Sequence, residues 1–120
     1  MARATAPEPP TVVIVHVGQP DVIREVCAGI EEEGVPYSLQ PLQEDPQAEV
    51  AAAVEMGMRA ARQSRLDVGV GIDSAGRVAV HHEKLPLDRP VLDSGTEVDL
   101  DRARLLGHNA ARVVTGIPFK

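Results

Sequence analysis

Apolar positions along this chain change period several times, and each change marks an element. Residues 11–17 (TVVIVHV) form an unbroken β-branched run, the pattern of a strand covered on both faces and therefore central in a sheet. Gly18-Gln19-Pro20-Asp21 punctuates it, with Pro20 suited to a first helical turn, where its missing N–H leaves nothing unsatisfied. Val22, Ile23, Val26, Cys27 and Ile30 then recur at helical spacing to about Glu33, and Gly34 suits the residue just past a helix end. Cys27 falls in that apolar stripe and reads as core.

Residues 37–42 alternate weakly, with Ser38 and Gln40 against Tyr37 and Leu39; together with Pro41 this predicts an edge strand. After a polar connector over residues 43–46, the Ala-rich stretch 47–64 places Val50, Val54, Met58 and Ala61 at helical spacing, with Gly57 as a weak point. Residues 66–72 (LDVGVGI) predict a third strand whose Gly69 and Gly71 strip one face of side chains and admit something close to the backbone. Asp73-Ser74-Ala75-Gly76 has turn composition, so residues 77–81 return as an antiparallel hairpin strand. Pro86 and Pro90 break residues 83–90, and 91–93 form a last short strand. From Glu97 or Asp99 to Thr115, Leu100, Ala103, Leu106, Ala110, Val113 and Val114 predict a third helix closed by Gly116.

The order βαβαβββα predicts an α/β domain with helices on both faces of a mostly parallel sheet that contains one antiparallel hairpin strand. The chain has 120 residues, 43% of them apolar, enough for one core and too few for two. Residues 11–120 are therefore expected to be a single domain and residues 1–10 a flexible tail. That tail lacks the apolar run of a signal or anchor, and no stretch approaches the ~18 apolar residues that span a bilayer. A formal charge of −6 repels a phosphate backbone, and only Tyr37 and Phe119 are aromatic, so nucleic acid is not an expected partner. A single cysteine excludes an internal disulfide and fits a cytoplasmic location.

Catalytic patterns are missing from the chain. The turn after the first strand has neither glycine-rich phosphate fingerprint. His81 and His82 are neighbours in a strand and point to opposite faces, which suits solvated or interface histidines rather than ligands of one ion. His16 and His108 have no partner at a ligand spacing, no G-x-S-x-G elbow exists, and Cys27 faces the core.

One stretch breaks a local rule. Glu31, Glu32 and Glu33 occupy the last turn of the first predicted helix, where the helix dipole disfavours acid. At about 100° per residue the three fan apart and cannot converge on one cation. Glu33 falls near the edge of the apolar stripe, Glu31 on the flank, and Glu32 roughly 150° away, pointing outward. Beside Glu32 on that outer face are Glu25, Ala28 and Gly29, two of them small enough for another backbone to approach, so the face reads either as a solvated helix end or as a docking surface holding a carboxylate. One carboxylate is a poor site for Mg²⁺ or Ca²⁺, so further ligands would have to come from another chain.

Arg24-Glu25-Val26, the segment Gly29-Ile30-Glu31-Glu32-Glu33-Gly34-Val35-Pro36 and the C-terminal Asn109-Ala110-Ala111-Arg112-Val113-Val114-Thr115-Gly116-Ile117-Pro118-Phe119 together resemble the small subunit of the diol/glycerol dehydratase reactivating factor. Val80-His81-His82-Glu83-Lys84-Leu85-Pro86 is similar to that family's strand and turn. The resemblance runs from Val12 to Phe119, with His108 where the family has Asn and a poor match over residues 83–97.

It implies a three-layer α/β/α domain similar to the medium subunit of the adenosylcobalamin-dependent dehydratases. It also implies a non-catalytic, chaperone-like subunit that pairs with a large actin-like ATPase subunit as a two-plus-two heterotetramer. That complex would release damaged cobalamin from inactivated dehydratase by subunit exchange. By the same resemblance Glu32 is the metal residue, a ligand of Mg²⁺ or Ca²⁺ shared with the large subunit, while this chain alone binds no cofactor. The first alternative is the medium subunit of a diol or glycerol dehydratase itself, against which the short length and Pro-rich start count. A free-standing small-molecule domain is the second, and no pocket motif supports it.

Overall fold

The computed structural model describes residues 9–42, 52–96 and 98–120. Most of the expected tail, the connector and helix start over residues 43–51, and Glu97 lie outside these. The elements are β1 (Val12–His16), α1 (Pro20–Glu32), β2 (Tyr37–Pro41), α2 (Ala53–Gln63), β3 (Val68–Ile72), β4 (Val78–His82), β5 (Leu92–Asp93) and α3 (Leu100–Thr115). The sheet order is β2-β1-β3-β4-β5. β1 pairs parallel with β2 and β3, and β4 is antiparallel to both β3 and β5, so β4 alone runs against the other four strands. The mixed α/β sheet expected from the element order is what forms, with β2 at one edge.

Side-chain alternation explains the unbroken apolar run in β1. Val12 and Ile14 share a face with Val68, Val70, Ile72, Val78 and Val80 and pack against Val26 and Ile30 of α1 and Leu106 and Ala110 of α3. Val13 and Val15 point the other way, onto Met56 and Ala60 of α2. Both sets are lost to water, so neither alternate position can be polar.

On the α2 side β3 presents its glycines. A Cβ on Gly69 would lie 2.6 Å from the Ala60 Cβ, and one on Gly71 2.8 Å from the Met56 Cβ, both too close for real contacts. What approaches the backbone there is α2. Gly57 answers from the helix, since a Cβ on it would crowd the Ala79 carbonyl at 3.1 Å. The residue that weakens α2 by propensity is the one that lets it seat.

Some boundaries shift. β3 begins at Val68 rather than 66 because Asp67 is left-handed, with φ 63°, and so cannot continue a strand. Asp73 accepts from the backbone N–H groups of Ala75 and Arg77 at 3.0 Å each, an Asx-type turn that delays β4 to Val78. α1 ends as expected, with Gly34 at φ 76° and its N–H donating to the Glu31 carbonyl at 2.9 Å.

Of the two expectations for His81, solvated or at an interface, the solvated one is wrong. Its ring is fully buried, accepting from the His82 N–H at Nδ1 (3.0 Å) and donating from Nε2 to the Leu87 carbonyl (3.0 Å). It thereby pins the Pro-interrupted segment that follows β4. Alternation placed it correctly on the face opposite His82; the interior of α2 and this loop decided that the face is dry.

Arg77 and Asp93 join β4 to β5 by a two-pronged ion pair, Nε donating to Oδ1 at 2.9 Å and Nη2 to Oδ2. The Arg77 hydrogen bond holds the Asp93 carboxyl below its ordinary value. A carboxylate depressed in the folded state stabilises the fold above its unfolded pKa, and loses that contribution as pH falls through the folded value. The melting-temperature gap between wild type and Asp93→Asn is therefore expected to be largest near neutral pH and to close as pH drops below the usual carboxylate range. Parallel melting curves at neutral and acidic pH check this.

Candidate functional site: the acidic end of α1 against a basic stripe on α3

The three glutamates at the end of α1 break the dipole rule only while that helix is considered alone. α3 carries Arg104, His108 and Arg112 at intervals of four residues, so all three line one face. That face lies along α1. Each glutamate meets a different environment there.

Glu33 is the most enclosed. Its Oε2 is 2.6 Å from His108 Nδ1, and Arg112 donates from Nε to Oε1 at 3.1 Å and from Nη2 to Oε2 at 3.3 Å. Bonds from His108 and then Arg112 hold its carboxyl low. Arg112 also donates from Nη1 to the Pro118 carbonyl at 2.8 Å, and the buried Asn109 accepts from the Lys120 N–H at 2.9 Å. The C-terminal Asn109-to-Phe119 motif thus folds the tail back along α3.

Glu32 lies at the rim, its side chain 44% exposed. Arg104 donates to its Oε1 from Nε at 2.7 Å and also from Nη2, while His108 Nε2 is 3.2 Å from Oε2. The Arg104 hydrogen bond is the largest reason its carboxyl is held below the usual range. Arg104 reaches a second carboxylate as well, donating from Nη1 to Glu25 Oε1 at 3.1 Å. Glu31 is apart from this network and lines a shallow pocket of about 430 Å³ with Gly34, Val35, Pro36 and Tyr37.

The outer face built from Glu25, Ala28 and Gly29 therefore needs correction. Gly29 is buried, and a Cβ on it would come within 2.8 Å of the His108 amide and closer still to the Arg104 carbonyl. Gly107 reciprocates: its Cβ would meet the Val26 backbone, 2.9 Å from the carbonyl carbon. Small residues admit another backbone, as expected, but that backbone is α3 of the same chain. Ala28 is half-buried beside it and Glu25 is engaged by Arg104. Glu32 keeps its outward aspect only at the margin of this helix pair.

As a metal ligand Glu32 fits in part. It is ionised, reachable and oxygen-donating, which suits a hard cation. Among the described residues, however, no group of three or more His, Cys, Asp and Glu side chains is arranged to hold a metal. A site that used Glu32 would need its further ligands from beyond the described residues. Sequence reasoning missed Arg104 and His108 as its neighbours, although their spacing of four with Arg112 was a usable signal.

No helix among the described residues is long and apolar enough to cross a membrane. The chain matches the dehydratase medium subunit family over residues 8–120. It is 38% identical over 112 residues to the propanediol dehydratase-reactivating factor small subunit of Citrobacter freundii, covering 93% of this chain and 90% of that protein. With the diol dehydratase-reactivating factor small subunit of Klebsiella michiganensis it shares 42% over 97 residues, covering 81% and 72%.

Among solved structures, a glycerol dehydratase reactivase superposes with a TM-score of 0.83 at 33% identity, covering 93% of this chain and 97% of that one. A diol dehydratase-reactivating factor complexed with ADP and Mg²⁺ gives 0.80 at 37%, covering 94% and 99%. The chain belongs to the dehydratase medium subunit family, and within it is similar to the small subunits of reactivating factors.

Proposed function

We propose that this chain is the non-catalytic small subunit of a dehydratase-reactivating factor. It works in the cytoplasm with a larger actin-like ATPase subunit, as a two-plus-two heterotetramer, and the complex releases damaged cobalamin from an inactivated diol or glycerol dehydratase by subunit exchange. The observation that carries this is the 38% identity, over 93% of the chain, to a protein named as such a small subunit. Likeness along nearly the whole length of a reactivating factor chain supports it. The family's description as dehydratase medium subunit keeps one alternative in play, a structural subunit of the dehydratase itself.

Purified with the large subunit, the chain is expected to restore turnover to inactivated dehydratase only when ATP is present. Turnover by a mixture of this chain, dehydratase large and small subunits and adenosylcobalamin, with no other protein, would establish the alternative instead.

Within that assembly Glu32 is this chain's ligand to a divalent ion, Mg²⁺ or Ca²⁺, at the contact with the large subunit. Its exposed rim position and its lack of companion ligands among the described residues support a shared site. Glu32→Gln is expected to lower the metal content of the purified complex by tenfold or more, on the order expected when a hard cation loses a charged oxygen ligand. Glu31→Gln, facing Tyr37 and away from α3, is expected to leave it within about twofold. Metal analysis of the two complexes decides, and equal losses would refute the assignment.

A further inference from the structure

We propose that the free edge of β2 is a self-association surface, where two copies of this chain pair strand to strand about a two-fold axis centred on Leu39. Three features of residues 37–41 carry this: which backbone groups face outward, which side chains are exposed, and where charge is missing.

β1 is the only strand beside β2 among the described residues. The Val12 N–H donates to the Pro36 carbonyl at 3.0 Å, and the Leu42 N–H to the His16 carbonyl at 2.8 Å. Because backbone direction alternates along a parallel ladder, Pro36, Ser38, Gln40 and Leu42 turn their groups to β1. Tyr37, Leu39 and Pro41 turn theirs outward. The open edge thus offers N–H groups at 37 and 39 and carbonyls at 37, 39 and 41, since proline has no N–H. Leu39 is 47% exposed, although by register it lies on the same sheet face as Val12 and Ile14, which the helices cover.

Charge decides the occupant. The chain carries −6 overall with 25% of its residues charged, so most of its surface repels a second copy. Gly34 to Gln43 holds no charged residue, and so lacks the lysines and acids that usually blunt an edge. An exposed, uncharged strand edge is where such a chain can meet itself. Antiparallel pairing sets Leu39 opposite its own copy, with both N–H···O=C bonds made and the two leucine side chains adjacent on one face. Tyr37 then faces Pro41 of the second copy, where its N–H meets the proline carbonyl and the reverse bond is missing. Pro41 shortens the edge without closing it. β5 offers only two residues, with Asp93 committed to Arg77, so pairing stops at two copies and does not run on as a fibre.

One strand pair and one leucine pair make a small contact, so the dissociation constant is expected to be on the order of 10–100 µM. In sedimentation equilibrium of the full-length chain by itself, the mass should rise from 12.8 kDa toward twice that value across this range. Leu39→Lys sets like charges across the axis and is expected to weaken pairing by about tenfold or more. Pro41→Ala supplies the missing donors to the Tyr37 carbonyls and is expected to tighten it by about three- to tenfold. Amide exchange reads the register: Tyr37 and Leu39 should slow as concentration rises, while Ser38 and Gln40, already bonded to β1, should not. Melting of each variant checks its fold.

A mass that stays at one chain up to millimolar concentration overturns the proposal. So does a dimer whose affinity Leu39→Lys leaves unchanged, a Pro41→Ala variant that folds but pairs no more tightly than wild type, or a mass that grows past two copies. Concentration-dependent protection that falls outside β2, for instance on the exposed Ile117 and Phe119, would put the contact elsewhere and overturn it as well.

Discussion

Gly107→Ala is expected to destabilise the chain by about 3 kcal/mol or more, towards the upper end of what overpacking does, and to lower the melting temperature by roughly 10 °C or more. In an exposed helix the same change stabilises, since Ala is favoured over Gly by ~1 kcal/mol, so the sign alone tests the packing. Gly107 lies in the middle of α3, where the added methyl would meet the Val26 carbonyl group of α1, with its carbon only 2.9 Å away. Backbone cannot swing aside as a flexible side chain can. The helices would have to separate, and with them the ion pairs from α3 to Glu25, Glu32 and Glu33. Gly29→Ala should behave alike, because its methyl meets α3 at the Arg104 carbonyl and the His108 amide. Thermal melting by circular dichroism checks both, and a variant more stable than wild type would refute the close crossing.

His81→Ala is expected to lose about 2–4 kcal/mol. Part of that is the space left by a fully buried ring, comparable to other large-to-small core changes. The rest is polar: the Leu87 carbonyl and the His82 N–H each lose their ring partner, and a part-buried hydrogen bond contributes about 0.5–1.5 kcal/mol. Urea denaturation gives the value. A loss below about 1 kcal/mol would mean that water replaces the ring and that the segment after β4 is held by something else. Amide exchange over residues 83–90 should quicken in the variant, because their anchor to the sheet is gone.

Elements and turns were legible because their causes are local. Val12 to Val15 announced two-sided burial, Gly34 and Gly116 announced the ends of α1 and α3, and Pro41 announced an edge. Where boundaries slipped, a backbone conformation at one residue was responsible, as at Asp67, whose left-handed φ of 63° carries no sequence signature. His81 was misread for another reason: alternation tells which face a strand residue takes, not whether a helix and a loop seal that face.

For the acidic end of α1, the sequence by itself determined that acid sits where a helix dipole disfavours it, that Glu32 points off the apolar stripe, and that Ala28 and Gly29 leave room for a backbone. Each follows from the 3.6-residue repeat. Only the tertiary structure decided whose backbone fills that room and whose charge answers the acid. Arg104 lies 72 residues from Glu32 and Arg112 79 from Glu33, and no helical period extends across four strands and a helix to pair them. The partner of Glu32 inside the chain is thus a product of how α3 docks, through Gly107 and Gly29, and not of any local pattern.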